Sequence, residues 1–344
     1  MKKQSKLLAL LLACAMTLAL SACGGSSATT STPASSAAPA ASGSAAATGD
    51  KTYTIGICQL VQHNALDAAT KGFKDALTEK LGDKVKFDEQ NAAGDSAACT
   101  TICNQFVSSN VDLIMANATP ALQAATAATN SIPILGTSVT DYGTALSIAD
   151  WKGTTGTNVT GTADLAPLDK QAEMIKTLFP DKKKVGILYC SAEPNSKYQS
   201  TEITKYLTDA GYTCKEYTFA DSNDVAAVTK TACDESDVLY VPTDNTAASC
   251  AESINNIAEP AKVPIVAGEA GICTGCGVAT LSIDYYDLGV VTGNMAYEVL
   301  VNGADPATTE IQFAPKTTYQ YMADRCEKLG VKVPSDYVAI EVEK

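Results

Sequence analysis

The sequence predicts an α/β protein of two doubly wound parallel-sheet lobes joined by a hinge. Two observations carry this prediction. Strand-like apolar runs alternate with amphipathic helices along residues 53–329, and the first half of that pattern recurs in the second. Such alternation builds βαβ units and parallel sheets.

In the first half, strands are expected at 53–60, 84–90, 111–117 and 132–136, with helices at 65–80, 95–109 and 120–130. A polar loop at 140–158 holds the single tryptophan, Trp151. A helix at 164–178 then leads to strands at 184–190, 212–219, 236–241 and 263–267, separated by helices at 195–210, 223–232 and 245–258. A strand at 277–283, a helix at 285–302, strands at 309–313 and 317–320 and a helix at 321–329 end the series.

The repeat has an offset of 130 residues, which sets Ile55-Gly56-Ile57 on Val185-Gly186-Ile187, Phe73 on Ile203 and Leu77 on Leu207. Further along, Asp112, Thr119-Pro120 and Ile132-Pro133-Ile134 find counterparts in Asp237, Asp244-Asn245 and Val263-Pro264-Ile265. Two similar lobes enclose a cleft, because ligand loops lie outside the carboxyl ends of parallel strands.

The chain has 344 residues, 46% of them hydrophobic, enough for a large core. Residues 1–22 stand outside it: Lys2, Lys3 and Lys6 precede a short apolar run, the pattern of an export signal. Leu20-Ser21-Ala22-Cys23 resembles a bacterial lipobox, which implies cleavage before Cys23 and lipid on its sulfur. Residues 23–50 are nearly all Gly, Ser, Ala, Thr and Pro, a flexible tether from membrane to folded body. The expected location is the outer face of the cytoplasmic membrane.

Net charge is −13, and losing three lysines and no acid with the signal leaves −16. Nucleic acid is therefore not an expected partner. The single arginine, Arg325, leaves little scope for a guanidinium clamp on a phosphate or dicarboxylate. Of twelve cysteines, ten remain in the mature chain beside the lipidated one. Cys273 and Cys276 have CxxC spacing in a glycine-flanked segment expected to be a loop; a loop disulfide and free thiols both remain open. No second pair or nearby histidine supports metal binding.

The loops at the strand ends are consistently polar. Candidate ligand-binding residues are His63, Asn64, Thr119, Asp141, Glu193, Asn195, Ser196, Asp244, Asn245 and Glu269. The repeat sets His63 against Glu193 and Thr119 against Asp244. Ser196 and Asn195, at a helix start, suit a carboxylate, while Asp141, Asp244 and Glu269 suit an ammonium. Together they suit an amino acid zwitterion. Asn195, Asp244 and Thr119 also stand where helix N-caps belong, and that role remains open. Trp151 is read as a packing residue. No GxSxG, HExxH, P-loop or GxGxxG is present, and one histidine cannot build a multi-histidine metal site. The reading is binding without catalysis, with no cofactor.

The segments IGICQLVQHNALDAATKGFKDAL, VDLIMANATPALQAA, IPILGTSVTDY, NVTGTAD, VGILYCSAEPNS, VLYVPTDNT and SIDYYDLGVVTGNMAYEVL resemble ABC transporter substrate-binding proteins, in the family that includes tryptophan-associated binding components. The resemblance covers 52–335. It implies a type I periplasmic-binding-protein fold with crossings near 158–161, 283–285 and 313–315. The lobes would then be 51–158 with 285–313, and 159–284 with 314–344. It further implies capture of a small solute by lobe closure, and delivery to an ABC permease with a cytoplasmic ATPase by a monomeric receptor. An amino acid, aromatic or other, leads; a nucleoside, a sugar or a sensing role are the alternatives. Two departures bear on ligand identity: Ala65 follows Asn64 where many relatives have proline after the histidine, and Asp141-Tyr142 also lacks an expected proline.

Overall fold

The structure, a computed structural model, describes residues 51–341. The signal segment 1–22, the lipidation residue Cys23 and the linker 23–50 lie outside the described residues, as do 342–344.

The first lobe begins with β1 (Tyr53–Gln59), α1 (Asn64–Leu81), β2 (Val85–Asn91), α2 (Ser96–Ser108), β3 (Leu113–Asn117) and α3 (Thr119–Ala128). It continues through β4 (Ile134–Val139), α4 (Tyr142–Leu146) and β5 (Val159–Ala163). The second lobe runs from α5 (Leu168–Leu178) through β6 (Lys184–Cys190), α6 (Pro194–Asp209), β7 (Thr213–Phe219), α7 (Val225–Glu235) and β8 (Val238–Val241). There follow α8 (Asn245–Ser249), α9 (Ala251–Ala258), β9 (Ile265–Ala267), α10 (Ala270–Cys276) and β10 (Ala279–Ile283). The chain then returns to the first lobe for α11 (Tyr285–Asn302) and β11 (Gln312–Phe313). It ends in the second with β12 (Thr317–Tyr321), α12 (Ala323–Leu329) and β13 (Val338–Ala339).

The two sheets have the orders β11-β5-β4-β3-β1-β2 and β13-β12-β10-β9-β8-β6-β7. Five strands in each follow the same doubly wound order, so the repeat read from sequence is a repeat of topology. The added edge strand β12 runs antiparallel to β10, and β11 runs parallel to β5. Central strands are buried on both faces, as parallel strands covered by helices must be.

Three expectations need correction. The resemblance puts residues 159–163 in the second lobe, but they form β5, which pairs with β4 through Ile134↔Val159 and Leu135↔Thr160. The first crossing therefore shifts to 164–167, with the others at Asp284 and 314–316. Val-Thr-Gly-Thr-Ala carries too few large apolar side chains to stand out as a strand, although every one of its residues is buried. The 140–158 loop contains α4, whose five residues are too few for a periodic signal. Cys273 and Cys276 lie on a helix, α10, and not in a loop. They are buried free thiols, as are most of the ten cysteines among the described residues.

The pairing of α1 with α11 holds the first lobe's returning segment. Gly72 and Gly289 sit where the helix backbones nearly touch: an added Cβ would lie 2.1 Å from Tyr286 O and 2.0 Å from Ala69 O respectively. Replacing Gly289 by Ala must push the helices apart, a loss of about 1–3 kcal/mol. The expected outcome is a melting temperature several degrees below the parent's by circular dichroism. An unchanged melting temperature would refute this account of the packing.

Candidate ligand-binding site

The polar loops at the strand ends of the two lobes face one another, and most of the candidate residues there are out of water. In the second lobe the organising group is Glu193, 3% exposed, at the N-cap of α6. Its Oε2 accepts from Asn245 N (3.0 Å), Asn245 Nδ2 (2.7 Å) and Asn195 Nδ2 (3.1 Å). Its Oε1 accepts from Thr246 N and Thr246 Oγ1, both at 2.8 Å.

Asp244 caps α8 through Ala247 N (2.7 Å) and also accepts from Cys190 N and Ser196 Oγ, each at 2.7 Å. Burial, with Glu193 nearby, pushes its carboxyl up to about 8. Glu269 caps α10, accepting from Gly271 N at 2.5 Å and from Ile272 N. Burial raises it to about 7. Asp164, absent from the candidates read in the sequence, accepts from Thr140 Oγ1 (3.1 Å) and Tyr285 OH (2.9 Å), and burial raises it to about 6. Among the described residues none of these carboxylates forms an ion pair. The lone arginine is engaged elsewhere: Arg325 donates to the carbonyls of Cys273, Thr274, Gly275 and Gly277 at the end of α10.

The first lobe offers the opposite chemistry. Thr119 opens α3 and Ser138 lies in β4; they are 2% and 5% exposed, and both hydroxyl oxygens are buried without a partner. Buried hydroxyls are rarely left so. The backbone there is strained, with Ala118 at φ 93°, ψ 158° and Ser138 at φ 54°. Such conformations cost about 1–3 kcal/mol in residues other than glycine and gather at functional sites. Ser138 was missed because a Ser within a strand gives no sequence signal; its φ is visible only in three dimensions.

His63, at the N-cap of α1, bridges the lobes, its Nε2 3.3 Å from Asn245 Oδ1. Because Asn245 donates its Nδ2 hydrogen to Glu193, its oxygen faces His63, and Nε2 must carry the proton. Burial lowers the His63 pKa, so the ring is neutral and Nδ1 is a bare acceptor; it is buried without a partner.

Four candidates occupy other positions than expected. Ser196 and Asn195 do not present free donors for a carboxylate, since Ser196 Oγ donates to Asp244 and Asn195 Nδ2 is shared among Glu193 and its neighbours. Asp141 caps α4 through Thr144 N (2.7 Å) and is only half-buried. Asn64 is exposed in the first turn of α1. Trp151 stacks on Tyr142 of the first lobe's core, centroids 6.2 Å apart, in keeping with a packing role. A cavity of about 280 Å³ lies between the lobes, lined by Leu60, Gly94 and Pro120 on one side and Cys190, Glu193 and Asn245 on the other.

The family model for ABC transporter substrate binding proteins matches residues 54–342. The chain belongs to this family. It is a solute-binding protein and not an enzyme, and substrate-binding proteins of ABC importers work outside the cytoplasm. Among the described residues no helix is long and apolar enough to cross a membrane.

A tyrosine-binding protein of Clostridioides difficile (strain R20291) is 40% identical over 265 residues, covering 75% of this chain and 76% of that protein. An ABC domain from Streptococcus pneumonia, solved in complex with L-Trp, is 34% identical with TM-score 0.79, covering 83% of this chain and 97% of that one. A substrate-binding protein with adhesive properties from Clostridium difficile, solved ligand-free and open, is 35% identical, with coverage of 85% and 100%, but its TM-score is 0.65. At nearly equal identity this substrate-binding protein is more like the liganded relative than the open one. The His63–Asn245 contact joins the two lobes across the cleft.

The raised carboxylates set a pH dependence. A carboxyl whose folded pKa is raised stabilises the fold below the ordinary carboxylate range, and that contribution is lost as pH rises through the folded value. The loss begins in the ordinary carboxylate range, at about 4, and is complete at about 6 for Asp164, about 7 for Glu269 and about 8 for Asp244, so above pH 6 Glu269 and Asp244 carry it. His63 acts oppositely, destabilising the fold only as pH falls below its ordinary 6.5. Scanning calorimetry of ligand-free protein should therefore show the melting temperature falling from pH 6 to pH 8. A melting temperature that is flat or rising over that window would contradict this placement of the carboxylates.

Proposed function

We propose that this protein captures a free aromatic amino acid between its lobes and hands it to an ABC permease. The observation that carries the reading is the unequal state of the two cleft faces. One has buried hydroxyls that lack partners, Thr119 Oγ1 and Ser138 Oγ, beside the start of α3. The other holds buried carboxylates, Asp244 and Glu269, without a cation. A zwitterion answers both: its carboxylate takes the hydroxyls and the α3 amide end, and its ammonium takes the acids. The ammonium keeps Asp244 and Glu269, the partners expected from the sequence, whereas the carboxylate moves to the first lobe because Ser196 and Asn195 are already engaged.

His63 supplies the aromatic preference. Its bare Nδ1 accepts from a phenol hydroxyl or an indole N–H, groups that aliphatic amino acids lack. The L-Trp complex and the tyrosine-binding relative support this reading. Ligand contact with both lobes shifts an open–closed equilibrium, which is the capture step. Lipid on Cys23 and the linker 23–50 keep the receptor beside its permease.

Isothermal titration with L-tryptophan and L-tyrosine tests the ligand class. Removing a hydroxyl that bonds a charged group, as in Thr119→Val, should weaken binding about tenfold to a hundredfold. A panel in which only sugars or nucleosides raise the melting temperature sinks the amino acid reading. For the anchor, Cys23→Ala in the full chain should move the protein from the membrane pellet to the soluble fraction. An unchanged pellet fraction would exclude lipid on Cys23 as the anchor.

A further inference from the structure

His63, Thr119 and Ser138 each leave a buried polar atom of the first lobe without a partner, and the second lobe has a counterpart in Asn195 Oδ1. Asn195 is 4% exposed and lies in the first turn of α6, just beyond the carboxyl end of β6. As a donor it is spent. Its carbonyl oxygen is not.

The direction of this amide is fixed by what its nitrogen meets. Asn195 Nδ2 lies 3.1 Å from Glu193 Oε2, 3.2 Å from Thr243 O and 3.2 Å from Ser196 Oγ. Glu193 and the Thr243 carbonyl offer only lone pairs, and Ser196 Oγ gives its hydrogen to Asp244 Oδ2 at 2.7 Å. All three therefore accept, so the NH2 group must face them and Oδ1 must face away.

The same carboxylate oxygen sets a second amide. Asn245 Nδ2 donates to Glu193 Oε2 at 2.7 Å, and Asn245 Oδ1 reaches His63 Nε2 at 3.3 Å. Three hydrogen bonds in series thus join Asn195 to His63 of the opposite lobe. Helix α6 itself packs against α4 of the first lobe.

A buried carbonyl oxygen in this position calls for a donor. The neighbouring acids already have theirs: Glu193 accepts from five groups, and Asp244 from Ala247 N, Cys190 N and Ser196 Oγ. Their charge still reaches the amide. Asn195 donates to Glu193 directly and to Asp244 through Ser196, and an amide polarised in this way accepts more strongly at its oxygen. The donor that gains most from such an oxygen is a cationic N–H.

We propose that Asn195 Oδ1 accepts a hydrogen bond from the ligand's α-ammonium and so restricts the ligand to amino acids with a free amino group. The inference rests on the amino acid reading of the cleft and adds the contact that recognises the amine. Carboxylates attract any cation; an oxygen held at one point requires an N–H. An acid without the amino group leaves Oδ1 unpaired, and an N-acylated amino acid offers it only an uncharged donor. Both classes should bind poorly.

The test compares L-tyrosine with 3-(4-hydroxyphenyl)propionate, which is tyrosine without its amino group, on the full chain and on Asn195→Ala. Affinities are read by titration for tyrosine and by displacement of labelled tyrosine for the analogue. The substitution should weaken tyrosine about tenfold to a hundredfold and leave the analogue within about twofold. Equal losses for the two ligands overturn the proposal, because Asn195 would then only support the loop. An unchanged tyrosine affinity overturns it as well, as does an analogue that binds the parent as tightly as tyrosine. If the alanine variant does not fold, Asn195→Ser, a residue suited to a helix start, carries the same comparison. A parent chain that binds neither tyrosine nor tryptophan sinks the amino acid reading itself, and this inference with it.

Discussion

The cleft depends on one saturated carboxylate. Glu193 collects five donors from α6 and α8, which locks the start of one helix against the start of the other. It also decides which way the Asn245 amide points. With Nδ2 committed to Glu193, Oδ1 faces the other lobe, and the proton on His63 must sit on Nε2. A charged group 3% exposed thus settles the tautomer of an imidazole in the opposite lobe and leaves its Nδ1 as an acceptor. Fully satisfied buried networks specify geometry in this way, while a half-satisfied one would cost more than an apolar contact.

Against that saturated group stand the polar atoms left incomplete. Thr119, Ser138 and His63 hold unpartnered acceptors or hydroxyls, and Asp164, Asp244 and Glu269 hold carboxylates without a cation. Each is costly to bury. Thr119 and Ser138 carry strained backbone at or beside them, with positive φ at Ala118 and at Ser138 itself. The proposed zwitterion would supply a partner to both sets of groups.

The scaffold keeps these groups in register by rigid packing. Gly72 and Gly289 let α1 and α11 approach backbone to backbone, so the segment returning from the second lobe is fastened beside the helix that His63 caps. The sheets are joined by short crossings, 164–167, Asp284 and 314–316, with Asp164 and Tyr285 hydrogen-bonded between the first two. The packing explains how a few hydrogen bonds at the strand ends command the arrangement of two large sheets.

The sequence by itself determined the architecture. The alternation of runs with period near two and near 3.6, and their repetition at 130 residues, left a pair of doubly wound sheets as the consistent reading. It also determined which loops face the cleft, because strand ends are polar wherever they meet ligand or water, and His63, Glu193, Asp244 and Glu269 were legible on that ground. Tertiary structure decided the rest. Whether Ser196 is free or spent depends on Asp244, 48 residues away. Ser138 becomes a candidate only through its φ of 54° and its lack of a partner. Strand β5 is held by β4 and β11 on either side and not by its own apolar content. Local patterns record what a residue prefers to be near; which partner it meets is set by long-range pairing that no window of sequence contains.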